Sequence, residues 1–166
     1  MHSNPPRSDG SRFLMKIDPR PLAVILLLEY LGGLVYLTLI VSFSLGEGTR
    51  LNFVPFAMMI ENFQAESRHF LVNFVGNILL FVPLGLLAPM LMKRSANVLG
   101  VVLIGMILST LIEFLQWCWG ERIADIDDVI LNTIGTLLGY GLWFVSRKLW
   151  ERSVRQKDSF RVSGYS

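Results

Sequence analysis

The chain is expected to be an all-α integral membrane protein: a four-helix bundle with a short interfacial or re-entrant element between spans one and two. Two observations predict this. Hydrophobic residues make up 52% of the 166 positions and charged residues only 17%, with a mean hydropathy of +0.51, a balance that a soluble domain of this size cannot cover with polar surface. The apolar residues are also gathered into four stretches, roughly Leu22 to Leu45, Phe70 to Met92, Val98 to Trp119 and Val129 to Val145, each near the about 20 residues that cross a bilayer as helix.

The first stretch is too long for the apolar region of a cleavable signal and has no small-residue cleavage site behind it, so it is expected to remain as an anchor. The domain plan is a basic tail over residues 1–20, a membrane domain over 21–146 and a second basic tail over 147–166, with the segment beyond Arg152 expected to be disordered.

Orientation follows from the connections. Arg7, Arg12, Lys16 and Arg20 precede the first span, Lys93 and Arg94 lie in the second connection, and Arg147, Lys148, Arg152, Arg155, Lys157 and Arg161 follow the fourth span. Only Arg50, Arg68 and Arg122 fall in the first and third connections. The excess places both termini in the cytoplasm of a bacterial inner membrane. Base is thus a topogenic signal that also attracts anionic lipid, and nucleic-acid binding is not expected. The tryptophans agree, with Trp117 and Trp119 at the outer end of span three and Trp143 and Trp150 bracketing the inner end of span four. Cys118 is the only cysteine, which excludes an internal disulfide and leaves a buried or interfacial thiol.

The connections leave no room for a soluble catalytic domain. The longest, Gly46 to His69, contains Leu51-Asn-Phe-Val-Pro-Phe56 and reads either as an element lying on or dipping into the outer leaflet, or as a plain loop.

The polar residues within the spans form a layer. At about 1.5 Å per residue, Asn77 and Glu113 both lie roughly 10 Å below the outer surface, and Asn132 sits about one turn into span four. Asn73 with Asn77, Glu113 with Gln116, and Asp128 with Asn132 are spaced to share helical faces. The carboxamides taken singly read as interhelical glue. Glu113 reads as a site, since a carboxylate at that depth must be neutral, paired or hydrated, and Arg122 is near enough in sequence to pair with it. The run Asp125, Asp127 and Asp128 starts a helix, where Asp127 or Asp128 suits a cap; capping does not account for all three.

Gly135-x-x-x-Gly139 and Gly105-x-x-x-Ser109 offer smooth faces for close helix packing. Pro83 removes one backbone hydrogen bond in span two and is expected to kink it. Glu29, inside span one, is expected to snorkel toward Arg20 or the cytoplasm.

The ordered set Asn52-Phe-Val-Pro55-Phe56, Asn77 to Gly85 with Pro83, Ser109 to Gln116 with Glu113, and Arg122 followed by Asp125 to Gly135 resembles the VanZ-like family of bacterial membrane proteins over about Leu22 to Gly141. Ala124 and Trp117-Cys-Trp119 have no counterpart in that pattern. The resemblance implies an envelope protein linked to tolerance of teicoplanin-type glycopeptides, a family role to which no biochemical mechanism is generally attached. Carried over by position, the binding residues implied are Asn52, Asn77, Glu113, Gln116, Arg122, Asp125, Asp127, Asp128 and Asn132, with Pro55 and Pro83 shaping the chain around them.

Three functions follow from the residues and the resemblance together. The first is an outward polar pocket that binds an amphiphile, a lipid-linked envelope precursor or a lipoglycopeptide. The second is a small structural partner of a larger membrane assembly, docked through the Gly135 face or the basic tail. The third is an enzyme on lipid-linked substrate, with the acidic cluster holding a divalent cation and Arg122 a phosphate. Catalytic residues are not identifiable: His69 is the only histidine outside the first residues, Glu66-x-x-His69 reads as a solvated helix edge, and no nucleophile–base pair stands out. No resident cofactor is expected. Transport is poorly supported, for there is no inverted repeat and no polar path to the cytoplasm.

Overall fold

A computed structural model describes residues 18–41, 51–56, 59–60, 63, 68–92, 96–118 and 124–163. Four helices dominate it: α1 (Arg20–Val35), α2 (Arg68–Leu91), α3 (Val98–Cys118) and α4 (Ile126–Ser163). Each forms all or most of a segment long and apolar enough to cross a membrane: Arg20–Thr38, which runs past the end of α1, Leu71–Leu91, Val98–Cys118 and Ile126–Gln156. The all-helical four-span bundle expected from composition is therefore the fold. Large apolar side chains such as Leu28, Leu79, Ile107 and Leu142 face outward, as they do when the surrounding solvent is hydrocarbon.

The interior is assembled around α2 and α4, which share the most extensive helix contact. Close approach is possible because Gly135 and Gly139 of α4 lie against the backbone of α2: a Cβ at Gly135 would come within 2.1 Å of the Ile78 carbonyl oxygen, and one at Gly139 within 2.1 Å of that of Val82. Gly85 answers from α2, its missing Cβ leaving room for the Thr136 carbonyl. The Gly135 face is thus occupied within the chain, which removes it as a docking face for another protein. The weaker small-residue pair on α3 does the same for α4, with Gly105 against the Thr136 side chain and Ser109 fully buried.

Below this layer Leu34, Phe81, Leu84, Ala88, Val101 and Ile112 form the apolar core. Tyr30 of α1 donates its hydroxyl to the Leu80 carbonyl at 3.0 Å, next to the Leu79 carbonyl whose helical donor Pro83 cannot supply. Helix α2 nevertheless runs on through Pro83 and Pro89. Helix α1 ends in a π-helical turn, Tyr36–Val41.

Several expectations change. Helix α4 does not stop at the membrane: its 38 residues extend about 57 Å at the helical rise, and the segment past Arg152, expected to be disordered, continues as helix. Arg147 Nε donates to Glu151 Oε1 at 2.9 Å one turn on, a pairing that supports helix. Arg20 pairs with Asp18 at 4.0 Å, while Glu29 lies exposed on α1. Asn73 is exposed, outside the interior layer that holds Asn77, and Cys118 is exposed at the end of α3.

Candidate functional site

The long first connection returns to the bundle as a strand of two residues. Leu51–Asn52 (β1) pairs in parallel with Ala124–Asp125 (β2), with Leu51 opposite Ala124 and Asn52 opposite Asp125. Side chains reinforce that pairing. Asn52 Oδ1 accepts from the Val54 backbone N–H at 3.1 Å, a local turn of the kind asparagine favours, and its Nδ2 donates to Asp125 Oδ1 at 2.8 Å. Pro55 then precedes Phe56, whose φ of 65° is left-handed and costs a bulky residue about 1–2 kcal/mol. The strained turn is held from below: the Phe56 N–H donates to Asp127 Oδ1 at 2.5 Å. Strain persists where the surroundings over-determine it, which is a common property of binding sites.

Asp125 is the hub. Its Oδ1 also accepts from the Asp127 N–H at 3.0 Å, making it the cap of α4, while its own N–H donates to Glu113 Oε2 at 3.0 Å. The cap is therefore Asp125, not Asp127 or Asp128 as the sequence suggested. That frees the other two for tertiary work: Asp127 holds the Phe56 turn, and Asp128 Oδ1 accepts from Asn77 Nδ2 of α2 at 2.5 Å. Asn52, Glu113, Asp125 and Asp127 are thereby connected through one network spanning β1, β2, α3 and α4, with Asn77 and Asp128 beside it.

Two of the candidate residues have structural partners. Gln116 Nε2 donates to the Thr38 carbonyl at 2.6 Å, tying α3 to the π-helical turn after α1, and Asn132 Nδ2 donates to Ser109 Oγ at 2.8 Å, tying α4 to α3. Both are the interhelical glue that amides supply in membranes. Arg122 lies outside the described residues, as do Glu66 and the His69 side chain.

Burial is deep. Glu113 is 7% exposed and Asp127 3%. Among the described residues, Oδ2 of Asp127 and Oδ1 of Asn132 are buried without a hydrogen-bond partner, an arrangement that costs stability. The acidic side chains reach different elements: Asp125 meets Asn52 of β1, Asp127 the Phe56 turn, Asp128 the Asn77 side chain of α2, and Glu113 the backbone of β2. Among the described residues, no three His, Cys, Asp or Glu side chains group closely enough to hold a metal ion.

A cavity of about 300 Å³ opens beside the network. Phe53, Phe114, Trp117, Ile126 and Val129 give it apolar walls, with Thr110 at its side and Asn52, Glu113 and Asp125 as its polar end. Depth arithmetic points to the polar end; the walls carry no sequence signal, because lipid-facing and cavity-facing apolar residues look alike.

Burial pushes the Asp125 carboxyl above its ordinary value of 3.8, the Asp127 charge pushes the same way, and the hydrogen bonds from Asp127 N and Asn52 work against both. Above pH 3.8 and through the raised native value, the folded chain binds more protons here than the unfolded chain, so this group's contribution to stability falls as pH rises. Asp125→Asn keeps the Oδ1 acceptor and removes the titration. Thermal unfolding followed from pH 3.8 upward should show the wild type losing stability relative to this variant; parallel curves would show that Asp125 is not desolvated.

The same chain matches the VanZ/LLP1 family model over residues 27–147. It is similar to Protein VanZ of Enterococcus faecium, at 32% identity over 74 residues that cover 45% of each protein, so the chain spans less than half the length of that relative. No solved structure matches. The family match runs from α1 to α4 and includes every element that builds the network, and the chain belongs to the VanZ/LLP1 family.

Proposed function

We propose that this chain is a multi-pass envelope protein of a bacterial cytoplasmic membrane that limits damage by teicoplanin-type lipoglycopeptides, binding an amphiphile or a lipid-linked envelope precursor in the cavity between β1, α3 and α4. Both termini are cytoplasmic on this reading, following the distribution of Lys and Arg, and the acidic network faces outward. One observation carries the proposal. The cavity, about 300 Å³ with aromatic and aliphatic walls and a polar end of Asn52, Glu113 and Asp125, has the size and mixed lining of a small-ligand pocket. An amphiphile places its chain along Phe114 and Val129 and its polar part at the carboxylates. The similarity to Protein VanZ supports the same direction.

Thr110 tests the cavity without touching the network. Its side chain is exposed and hydrogen-bonds only its own helix, to the Met106 carbonyl at 2.8 Å, so Thr110→Phe fills space at little cost to folding. Teicoplanin protection should fall while membrane abundance stays at the wild-type level; protection retained by this variant would place binding elsewhere.

A specific observation favours one other reading, a structural partner in a larger assembly. A Cβ added at Gly32 or Gly33 of α1 would meet no described residue of another element within 4 Å, and both lie beside exposed Glu29, so α1 presents a smooth face there. A stoichiometric protein copurifying in mild detergent, and lost on Gly33→Leu, would support that reading.

A further inference from the structure

Helix α4 carries a second polar feature farther along its length. Arg147 follows Asp127 by twenty residues, about 30 Å along a helix, which is one hydrocarbon thickness. A cavity of about 260 Å³ lies there between Ala96, before α3, and the α4 residues Tyr140, Trp143, Phe144, Arg147, Lys148 and Glu151.

The rings and cations of this pocket are organised together. Tyr140 packs on Trp143 with centroids 5.4 Å apart and on Phe144 at 6.4 Å. The Arg147 guanidinium lies 5.4 Å from the Trp143 centroid, and Lys148 Nζ lies 4.4 Å from the Phe144 centroid. Cations held over aromatic faces are ordered before any ligand arrives, so less entropy is lost on binding. Glu151 accepts from Arg147 Nε at 2.9 Å, and a guanidinium carries four further N–H donors on its two terminal amino groups with which to meet a phosphate. Aromatic rings of this kind prefer the headgroup level of a bilayer, and basic pockets at that level suit lipid phosphates.

We infer that this pocket binds the phosphodiester headgroup of an anionic lipid, with Arg147 and Lys148 contacting the phosphate and Tyr140 and Phe144 covering the glycerol and upper acyl chain. The aromatic floor favours a lipid over a free anion, because phosphate alone leaves that apolar surface uncovered. The inference does not depend on the cavity at the start of α4.

Thermal unfolding of the purified full chain in detergent tests it, using dihexanoyl phosphatidylglycerol, dihexanoyl phosphatidylcholine and inorganic phosphate as probes. The anionic phosphatidylglycerol should raise Tm saturably, and the zwitterionic phosphatidylcholine and inorganic phosphate should not. Arg147→Ala with Lys148→Ala should weaken the apparent affinity on the order of 10-fold or more, the loss of charge-assisted contacts. Arg147→Gln with Lys148→Gln, which keeps apolar stems over the rings, should weaken it similarly and covers the case in which the alanine pair does not fold. Arg152→Ala with Arg155→Ala, on the exposed continuation of α4, should bind as wild type does. An equal shift with phosphate would make this a small-anion site, and equal weakening by the Arg152 and Arg155 pair would reduce the effect to diffuse attraction. Either result, an equal shift with phosphatidylcholine, or no shift with phosphatidylglycerol overturns the inference.

Discussion

Gly135→Ala should destabilise the protein by about 1–3 kcal/mol, the usual range for forcing atoms into a packed interior, and Gly135→Leu should leave no folded bundle. The added Cβ of the alanine would stand 2.1 Å from the Ile78 carbonyl oxygen and 2.9 Å from its carbon. Both atoms belong to the backbone of α2, so no rotamer change relieves the contact and the two helices must separate. Separation propagates, because Gly139 against Val82 and Gly85 against Thr136 use the same interface. Those contacts also position Asn77 opposite Asp128, so the site loosens along with the core. Gly141→Ala is the control: the added Cβ would meet no described residue within 4 Å beyond its own helix, and replacing a helical glycine with alanine should be neutral or stabilise by about 0.5–1 kcal/mol. Unfolding in detergent distinguishes the two, and equal stability of Gly135→Ala and wild type would mean that α2 and α4 do not pack as described.

Asp127 carries the second large effect, this time on function rather than on folding. It is 3% exposed, one oxygen holds the Phe56 turn and the other has no partner among the described residues. Asparagine retains an acceptor for Phe56 and replaces the buried carboxyl with an uncharged amide of the same shape. That gain is set against loss of a favourable charge in the first turn of α4, worth about 0.3–1 kcal/mol, so the stability of Asp127→Asn should stay within about 1 kcal/mol of wild type. Asp127→Ala is different: Phe56 N–H loses its acceptor, the left-handed turn loses its restraint, and about 1–3 kcal/mol should be lost. Protection should vanish in both variants. The pair separates a carboxylate needed for binding from one needed only to hold the turn, since a purely structural Asp127 would leave the asparagine variant fully protective.

Much of this arrangement is legible in the sequence because helical geometry is periodic. Counting residues from the ends of the apolar stretches brings Asn77, Glu113 and Asn132 to one depth, and the four-residue spacing of Gly135 and Gly139 marks the α2 contact. What escapes is non-periodic. Asn52 and Asp125 are 73 positions apart and meet through strands of two residues, too short for any alternation to announce them. Gln116 finds a backbone carbonyl at Thr38, a partner every residue possesses. Asn73 follows the right period but lies one turn beyond the part of α2 that its neighbours cover. The helical tail was hidden by composition: Arg, Lys, Glu and Gln suggest a solvated segment, yet they are good helix formers. The absence of Gly and Pro from Leu142 to Ser163 and the Arg147–Glu151 spacing are the signals that would have revealed it.

The most direct measurement of the central claim, that the outer acidic network serves envelope defence, is teicoplanin susceptibility of a deletion strain complemented with wild type or Asp127→Asn at equal membrane abundance. Restoration of tolerance by wild type alone is the predicted result. Equal tolerance from both proteins would contradict a role for the Asp127 carboxylate, and no change with either would show that glycopeptide tolerance is not what this chain provides.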